Sequence, residues 1–156
     1  MIRRWLWVSV AVVVLDQWSK WEIVRHLRRP LVLAPVLNLV LTYNRGAAFG
    51  FLSAASGWQN VLFMGIAVAM SVLILAMLAG LKHGQNALAV GLALVLGGAV
   101  GNLIDRIRLG RVVDFIDFHV GNWHWYTFNL ADSAISVGAV LLALDALGLF
   151  DRHRGG

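Results

Sequence analysis

Four short spacings in this chain could carry chemistry. Asp16 and Lys20 stand four apart, and Asn102, Asp105 and Arg106 follow at three and four. Asp114 and Asp117 stand three apart, as do Asn129 and Asp132. On a helix, Asp16 and Lys20 share one face and neutralise each other. Asp16 is then also placed to support a polar cavity shared with other elements. Asn102, Asp105 and Arg106 likewise share a face, either as a salt-bridged helix end or as a scaffold for a neighbouring carboxylate, since a guanidinium binds carboxylate bidentately. Asn129 and Asp132 precede an apolar run as an N-cap and a first-turn acid do. Asp114 and Asp117 sit in an apolar stretch, on opposite faces if it is a strand and on one face if it is a helix.

Other reaction types lose their residues. The chain has no cysteine, which excludes a thiol nucleophile, a thiolate metal site, an iron–sulfur cluster and a disulfide. There is no H-E-x-x-H, and His26, His83, His119, His124 and His153 are too scattered to suggest a metal site. No G-x-S-x-G or S-x-x-K occurs, so serine nucleophiles lack their usual setting. Carboxylate chemistry remains. Two aspartates brought close cannot both ionise cheaply and so share a proton. One can then deprotonate water while the other protonates a carbonyl, as in aspartic-type peptide hydrolysis. Spacing leaves open which of Asp105, Asp114 and Asp117 meets Asp132.

The elements that must position these groups are membrane spans. Of the 156 residues 60% are hydrophobic and 13% charged, with a mean hydropathy of +0.76. A soluble domain carries roughly 25% charge. A bilayer core of about 30 Å takes about 20 apolar residues per helix, so the length admits four spans and no separate soluble domain. We place them at about 5–24, 58–81, 87–104 and 130–150, in one polytopic domain covering 1–156. Trp5, Trp7, Trp18 and Trp21 suit interfacial anchors. Met1-Ile2-Arg3-Arg4 opens like a signal peptide, but Asp16 and Lys20 stand where a small-residue cleavage site belongs, so the first span is expected to be retained. Gly97 and Gly101 form a small-xxx-small pattern suited to close helix packing.

Two connections are long, at about 25–57 and 105–129. Leu37–Asn44 alternates Leu, Leu, Leu and Tyr with Asn, Val, Thr and Asn, the period of a half-buried strand. Pro30 and Pro35 exclude a helix before it, and Gly46–Phe51 suggests a bend. Four antiparallel spans bring both connections to the same side, which gathers Asp16, Lys20, Asn44, Arg45, Asn102, Asp105, Arg106, Asp114, Asp117, Asn129 and Asp132. Asp16 lies about 16 Å along the first helix at ~1.5 Å per residue, a depth where ionisable side chains face a bundle interior. The net charge of +5 suits anionic lipid headgroups. Nucleic acid is not expected as a partner, because the arginines are scattered between apolar spans.

Five motifs in this order resemble the lipoprotein signal peptidases, or signal peptidase II, of bacteria. They are Asp16-Gln17-Trp18-Ser19-Lys20, Tyr43–Gly50, Gly97–Arg106, Val112–Ile116 and Phe128–Ile135. The resemblance covers nearly the whole chain; the stretch between Asp114 and Asp132 aligns least well. It implies four transmembrane helices with a small β-rich extracytoplasmic cradle between helices 1 and 2, around Leu31–Asn44, and a mobile lid within Asp114–Asn129. It implies an aspartyl endopeptidase that needs no metal or other cofactor. The substrate would be a diacylglyceryl-modified prolipoprotein, cut just before its lipidated cysteine. Asp114 and Asp132 would be the catalytic dyad and Asn129 would position it. Asp16, Lys20, Asn44, Gly46, Asn102 and Arg106 would support catalysis or bind substrate. A monomer in the bacterial inner membrane is expected, among membrane lipids, with both termini cytoplasmic and the dyad on the extracytoplasmic side.

Charge counting opposes that orientation. The outer side would carry Arg25, Arg28, Arg29, Arg45, Arg106, Arg108 and Arg111, against Arg3, Arg4, Lys82, Arg152 and Arg154 inside. Pairing of outer arginines with Asp105 or Asp117, and contact of Arg25, Arg28 and Arg29 with lipid phosphates, would reconcile the two. Two other functions compete. A proton-coupled transporter would depend on Asp16 and tolerate loss of Asp114 and Asp132. A metal-dependent lipid-headgroup hydrolase would be sensitive to chelators.

Overall fold

The computed structural model describes residues 2–46 and 57–150. The expected bend therefore lies largely outside the described residues, as does the charged tail from Asp151. Four helices occur among the described residues: α1 Ile2–His26, α2 Trp58–Gly80, α3 Asn86–Leu109 and α4 Leu130–Ala146. α2 and α3 are long and apolar enough to cross a bilayer, with mean hydropathies of 2.8 and 2.1. Only 11% of the most apolar stretch of α2 is buried, so its side chains need an apolar surrounding that water cannot provide. α1 carries Arg3, Arg4, Asp16, Lys20, Glu22 and Arg25, and α4 has 17 residues.

α3 lies at the centre, packed on α1, α2 and α4. Its glycines set those distances. A Cβ on Gly97 would stand 2.7 Å from Val12 Cβ, and one on Gly101 would stand 2.6 Å from Asp16 Oδ2. A Cβ on Gly98 would run into the Ala131 carbonyl of α4. The close-packing pattern thus admits α1 on one side, while the neighbouring glycine admits α4 on another. Ile74, Leu78, Ala89, Leu92 and Leu96 form an apolar core between α2 and α3. α3 ends at Gly110, whose φ of 67° is easy for glycine and whose N–H donates to Arg106 O at 3.1 Å.

The strands are β1 Leu31–Ala34, β2 Leu37–Asn44, β3 Val112–Val120 and β4 Trp123–His124, in the antiparallel order β1-β2-β3-β4. β2 falls where its alternation predicts. The cradle is not confined to the connection between the first two helices, however. Of the four strands among the described residues, two come from the α3–α4 connection. A two-stranded hairpin is marginal alone, and the free edge of β2 is completed by the apolar run Val112–Phe118. Thr42 stands opposite Asp114, and Asn38 opposite Asp117, on either side of a bulge between Leu39 and Thr42.

Candidate active site

The first turn of α4 supplies the local frame. Asn129 is its N-cap and accepts from the Asp132 N–H at 2.8 Å, while Asp132 Oδ2 accepts from the Asn129 N–H at 3.1 Å. This is a reciprocal capping box. The intervening orphan donor, Ala131 N–H, is capped by another helix: Asp16 Oδ1 accepts from it at 2.9 Å. The negative charge at the positive end of the α4 dipole is favourable there.

Behind that turn lies a buried polar network centred on Lys20. Its ammonium contacts Asp16 Oδ2 at 2.8 Å, Asp105 Oδ2 at 2.9 Å and Asn102 Oδ1 at 3.1 Å. Three protons meet three acceptors, which is what a buried ammonium requires. Asn102 then donates to Asp132 Oδ1 at 2.9 Å. Asp105 Oδ2 also accepts from the Val113 N–H at 3.0 Å, tying α3 to the start of β3. Gln17, which spacing did not single out, donates to Asp105 Oδ1 at 2.8 Å and also approaches Asp16 Oδ2 and Gly101 O. Its position beside Asp16 in an apolar span was the available signal.

Asp114 and Asp132 line one cavity of about 400 Å³, together with Asn44, Asn102, Arg106, Val112, Trp125, Tyr126, Thr127, Phe128, Ser133, Ser136 and Val137. Asn129 Nδ2 donates to Asp114 Oδ1 at 2.8 Å and contacts Asn102 Oδ1 at 3.1 Å. Two amides therefore link the two carboxylates, Asp114 through Asn129 and Asn102 to Asp132. Asn44 hydrogen-bonds Asp114 as well. The other end of its amide is occupied, because Asn44 Oδ1 accepts from the Gly46 N–H at 2.8 Å. Arg106 donates to the Gly46 carbonyl at 3.1 Å, and its charge acts on both Asp132 and Asp114. Burial, and next the neighbouring Asp132, push Asp114 up to about 7; hydrogen bonds from Asn44 and Asn129 and the Lys20 charge oppose the rise.

The alternatives left open by spacing separate here. Asp105 is committed to Lys20, Gln17 and Val113. Val112–Val120 is a strand, so Asp117 points to the face opposite Asp114, where it meets His124 at 2.8 Å and Asn38 at 3.1 Å. Of the expected pairing of outer arginines with Asp105 or Asp117, only a longer-range attraction between Arg106 and Asp105 is present, and no arginine among the described residues forms a salt bridge with either carboxylate. Both carboxylates are filled by other groups, and arginines lie over rings instead: Arg25 over Trp21, Arg106 over Phe63 and Arg111 over Tyr43. The aromatic wall Trp125-Tyr126 carries no spacing signal, because its place depends on how β4 folds back on β3.

Comparison with known proteins gives a consistent result. The family described as Signal peptidase (SPase) II matches residues 8–148. A lipoprotein signal peptidase of Paraburkholderia phymatum is 51% identical, covering 94% of this chain and 89% of the relative. The same coverage holds for lipoprotein signal peptidases of Burkholderia vietnamiensis, at 51%, and Burkholderia mallei, at 49%. A bacterial membrane enzyme solved by the in meso method at 2.3 Å superposes with a TM-score of 0.86 at 28% identity, over 100% of this chain and 94% of the other. A second such structure, at 1.9 Å, gives 0.83 at 29% identity over 94% of each chain.

Proposed function

The chain belongs to the signal peptidase II family, and from that premise we propose that it is an aspartyl endopeptidase acting on diacylglyceryl-modified prolipoproteins. It cleaves the signal peptide just before the lipidated cysteine. The carrying observation is that Asp114 and Asp132 share a cavity and are joined through Asn129 and Asn102. With one proton between them, one carboxylate takes a proton from water as its oxygen attacks the scissile carbonyl carbon. The other protonates the carbonyl oxygen. Collapse of the tetrahedral species breaks the C–N bond, and the departing nitrogen takes up the proton held by the dyad.

The remaining assignments fit this chemistry. Asn129 positions the dyad, and Asn44, held by Gly46, orients Asp114. Asn102 orients Asp132, Arg106 supplies positive charge beside both carboxylates, and Lys20 with Asp16 anchors α1 to the start of α4. All four helices cross the bacterial inner membrane in one polytopic unit, with the sheet and dyad on the extracytoplasmic side. Exposed apolar residues such as Trp7, Val14, Val61, Val72 and Val140 face lipid. The segment between Asp114 and Asn129 contributes the cover over the cavity, and the enzyme acts as a monomer.

A transporter built on Asp16 is less well supported. That carboxylate is fully buried and engaged by Lys20, Gln17 and the Ala131 N–H, as a structural anchor between α1 and α4 is. Cleavage of a diacylglyceryl prolipoprotein in detergent with EDTA, followed as a gel shift, tests the proposal. Wild type is expected to cleave, and folded Asp114→Asn and Asp132→Asn are expected to be inactive. Cleavage by either variant would refute the dyad, and chelator-sensitive activity would refute metal-free chemistry.

A further inference from the structure

On the face of β3 away from the dyad lies a second polar cluster that the chemistry above does not use. Asp117 is 7% exposed, although it lies far along the strand towards its outer end. Its Oδ1 accepts from His124 Nδ1 at 2.8 Å and its Oδ2 from Asn38 Nδ2 at 3.1 Å. The His124 ring also stacks on His119, centroid to centroid 4.9 Å. Three strands therefore meet at one carboxylate: β2 through Asn38, β3 through Asp117 and His119, and β4 through His124.

β4 needs that fastening. It has two residues, Trp123 and His124, paired with Val120 and His119. After it the chain runs as Trp125-Tyr126-Thr127, outside any strand, before Phe128 pairs with Ile116. The Trp125 N–H donates to Phe118 O at 2.8 Å, and Phe128 exchanges bonds with Ile116 at 2.8 and 3.0 Å. Residues 125–127 are thus an arch tied at its two ends, and all three line the cavity that holds Asp114. In extended chain, neighbouring side chains point to opposite faces. A bond that pins His124 to the rear face therefore aims Trp125 at the front face, towards the dyad.

We propose that Asp117 and His124 form a positioning strut that sets the aromatic wall of the substrate cavity, resting on the peptidase reading above. The strut touches no reacting atom. Its loss weakens substrate capture and leaves the bond-breaking step intact, which is the signature of interactions equal in ground and transition states. The strut depends on hydrogen-bond geometry and not on charge. Among the described residues, Asn38 Oδ1 is buried without a partner. An asparagine at 117 would still accept from His124 through its carbonyl. Its amide would donate to Asn38 once the Asn38 side chain turned over. Alanine at 117 offers neither bond.

The test is Asp117→Ala, His124→Ala and Asp117→Asn, each in the full-length protein. Steady-state cleavage of the lipidated substrate is read alongside hydrogen exchange at the amides of residues 124–127. Both alanine variants are expected to raise KM roughly 10-fold, with kcat within about twofold of wild type. Exchange should quicken at 124–127 with the four helices unchanged. Asp117→Asn should restore both quantities. Wild-type KM and exchange in the alanine variants would overturn the strut. So would an asparagine variant as impaired as alanine, or kcat falling while KM holds. If wild type cleaved nothing, the peptidase reading would fail, and exchange at 124–127 would still decide the strut.

Discussion

Asp16 of α1 caps the first turn of α4 by accepting from the Ala131 N–H at 2.9 Å, 115 residues away in sequence. The same carboxylate is held from behind by Lys20 at 2.8 Å. One buried ion pair thus fixes the height of the helix that begins with Asn129 and Asp132, and so the height of the proposed dyad relative to α1.

Removing the cation of that pair should unfold the site rather than retune it. Lys20→Met leaves Asp16 and Asp105 buried without their shared partner, and breaking a buried pair in this way costs about 3–5 kcal/mol. Thermal unfolding in detergent should show the loss. Lys20→Arg should recover only part of it, because a planar fork cannot place donors on three acceptors arranged around one ammonium. Wild-type stability in the Lys20→Met variant would show that the network contributes nothing net.

Asn129 has two duties, capping α4 and donating to Asp114. Asn129→Ala loses the N-cap, worth ~1 kcal/mol, and also the donor to Asp114. Asn129→Asp keeps an acceptor for the Asp132 N–H but places a third carboxylate against Asp114. That carboxylate would be fully buried and would face the Asp114, Asn102 and Val113 oxygens. The aspartate variant should therefore melt below the alanine variant. Both should cleave at least about 100-fold more slowly, the scale of a lost positioning contact. Wild-type activity in both variants would remove Asn129 from the dyad.

Asp114 dictates a pH dependence. Its pKa rises on folding from 3.8 to about 7, so between those values the folded chain binds more protons than the unfolded one. Its contribution to stability is therefore greatest at low pH and falls as pH rises through that window, then levels off. Asp114→Asn should flatten the corresponding slope in unfolding free energy between about pH 4 and 7. The proposed mechanism requires the singly protonated pair, so under it the rate should decline on the alkaline side with an apparent pKa near 7 that belongs to the pair. A rate profile without any carboxyl ionisation between about pH 4 and 8 would contradict this.

Glycines of α3 and α2 should respond oppositely to one added methyl. A Cβ at Gly101 would stand 2.6 Å from Asp16 Oδ2, so Gly101→Ala should destabilise by about 1–3 kcal/mol as overpacking does, and activity should fall as Asp16 shifts. Among the described residues, Gly65 of α2 has nothing within 4 Å of that position. There alanine should stabilise by roughly 0.5–1 kcal/mol through helix propensity. Melting temperatures of the two variants should move in opposite directions.

What the sequence determined lies within one helical turn or one strand period. Asp16 and Lys20 pair because helical spacing brings them together, Asn129 and Asp132 cap each other because they sit three apart before an apolar run, and Leu37–Asn44 is a strand because its apolar residues alternate. Those are properties of the local chain, legible without a partner. The tertiary structure decided which carboxylate faces Asp132. Asp105 sits on a helix and Asp114 on a strand, but neither local setting shows which one meets Asp132; one is consumed by Lys20 and the other left facing the cavity. It also decided that β3 completes the sheet begun by β2, and that arginines lie over aromatic rings while Lys20 and the histidine of β4 take the acids. Most of these outcomes depend on contacts between separate elements, such as β2 with β3, Lys20 of α1 with Asp105 of α3, and Arg111 with Tyr43. Local periodicity carries no information on them; for the Lys20 network the close approach of α1 and α4 to α3, which the α3 glycines permit, is the physical reason.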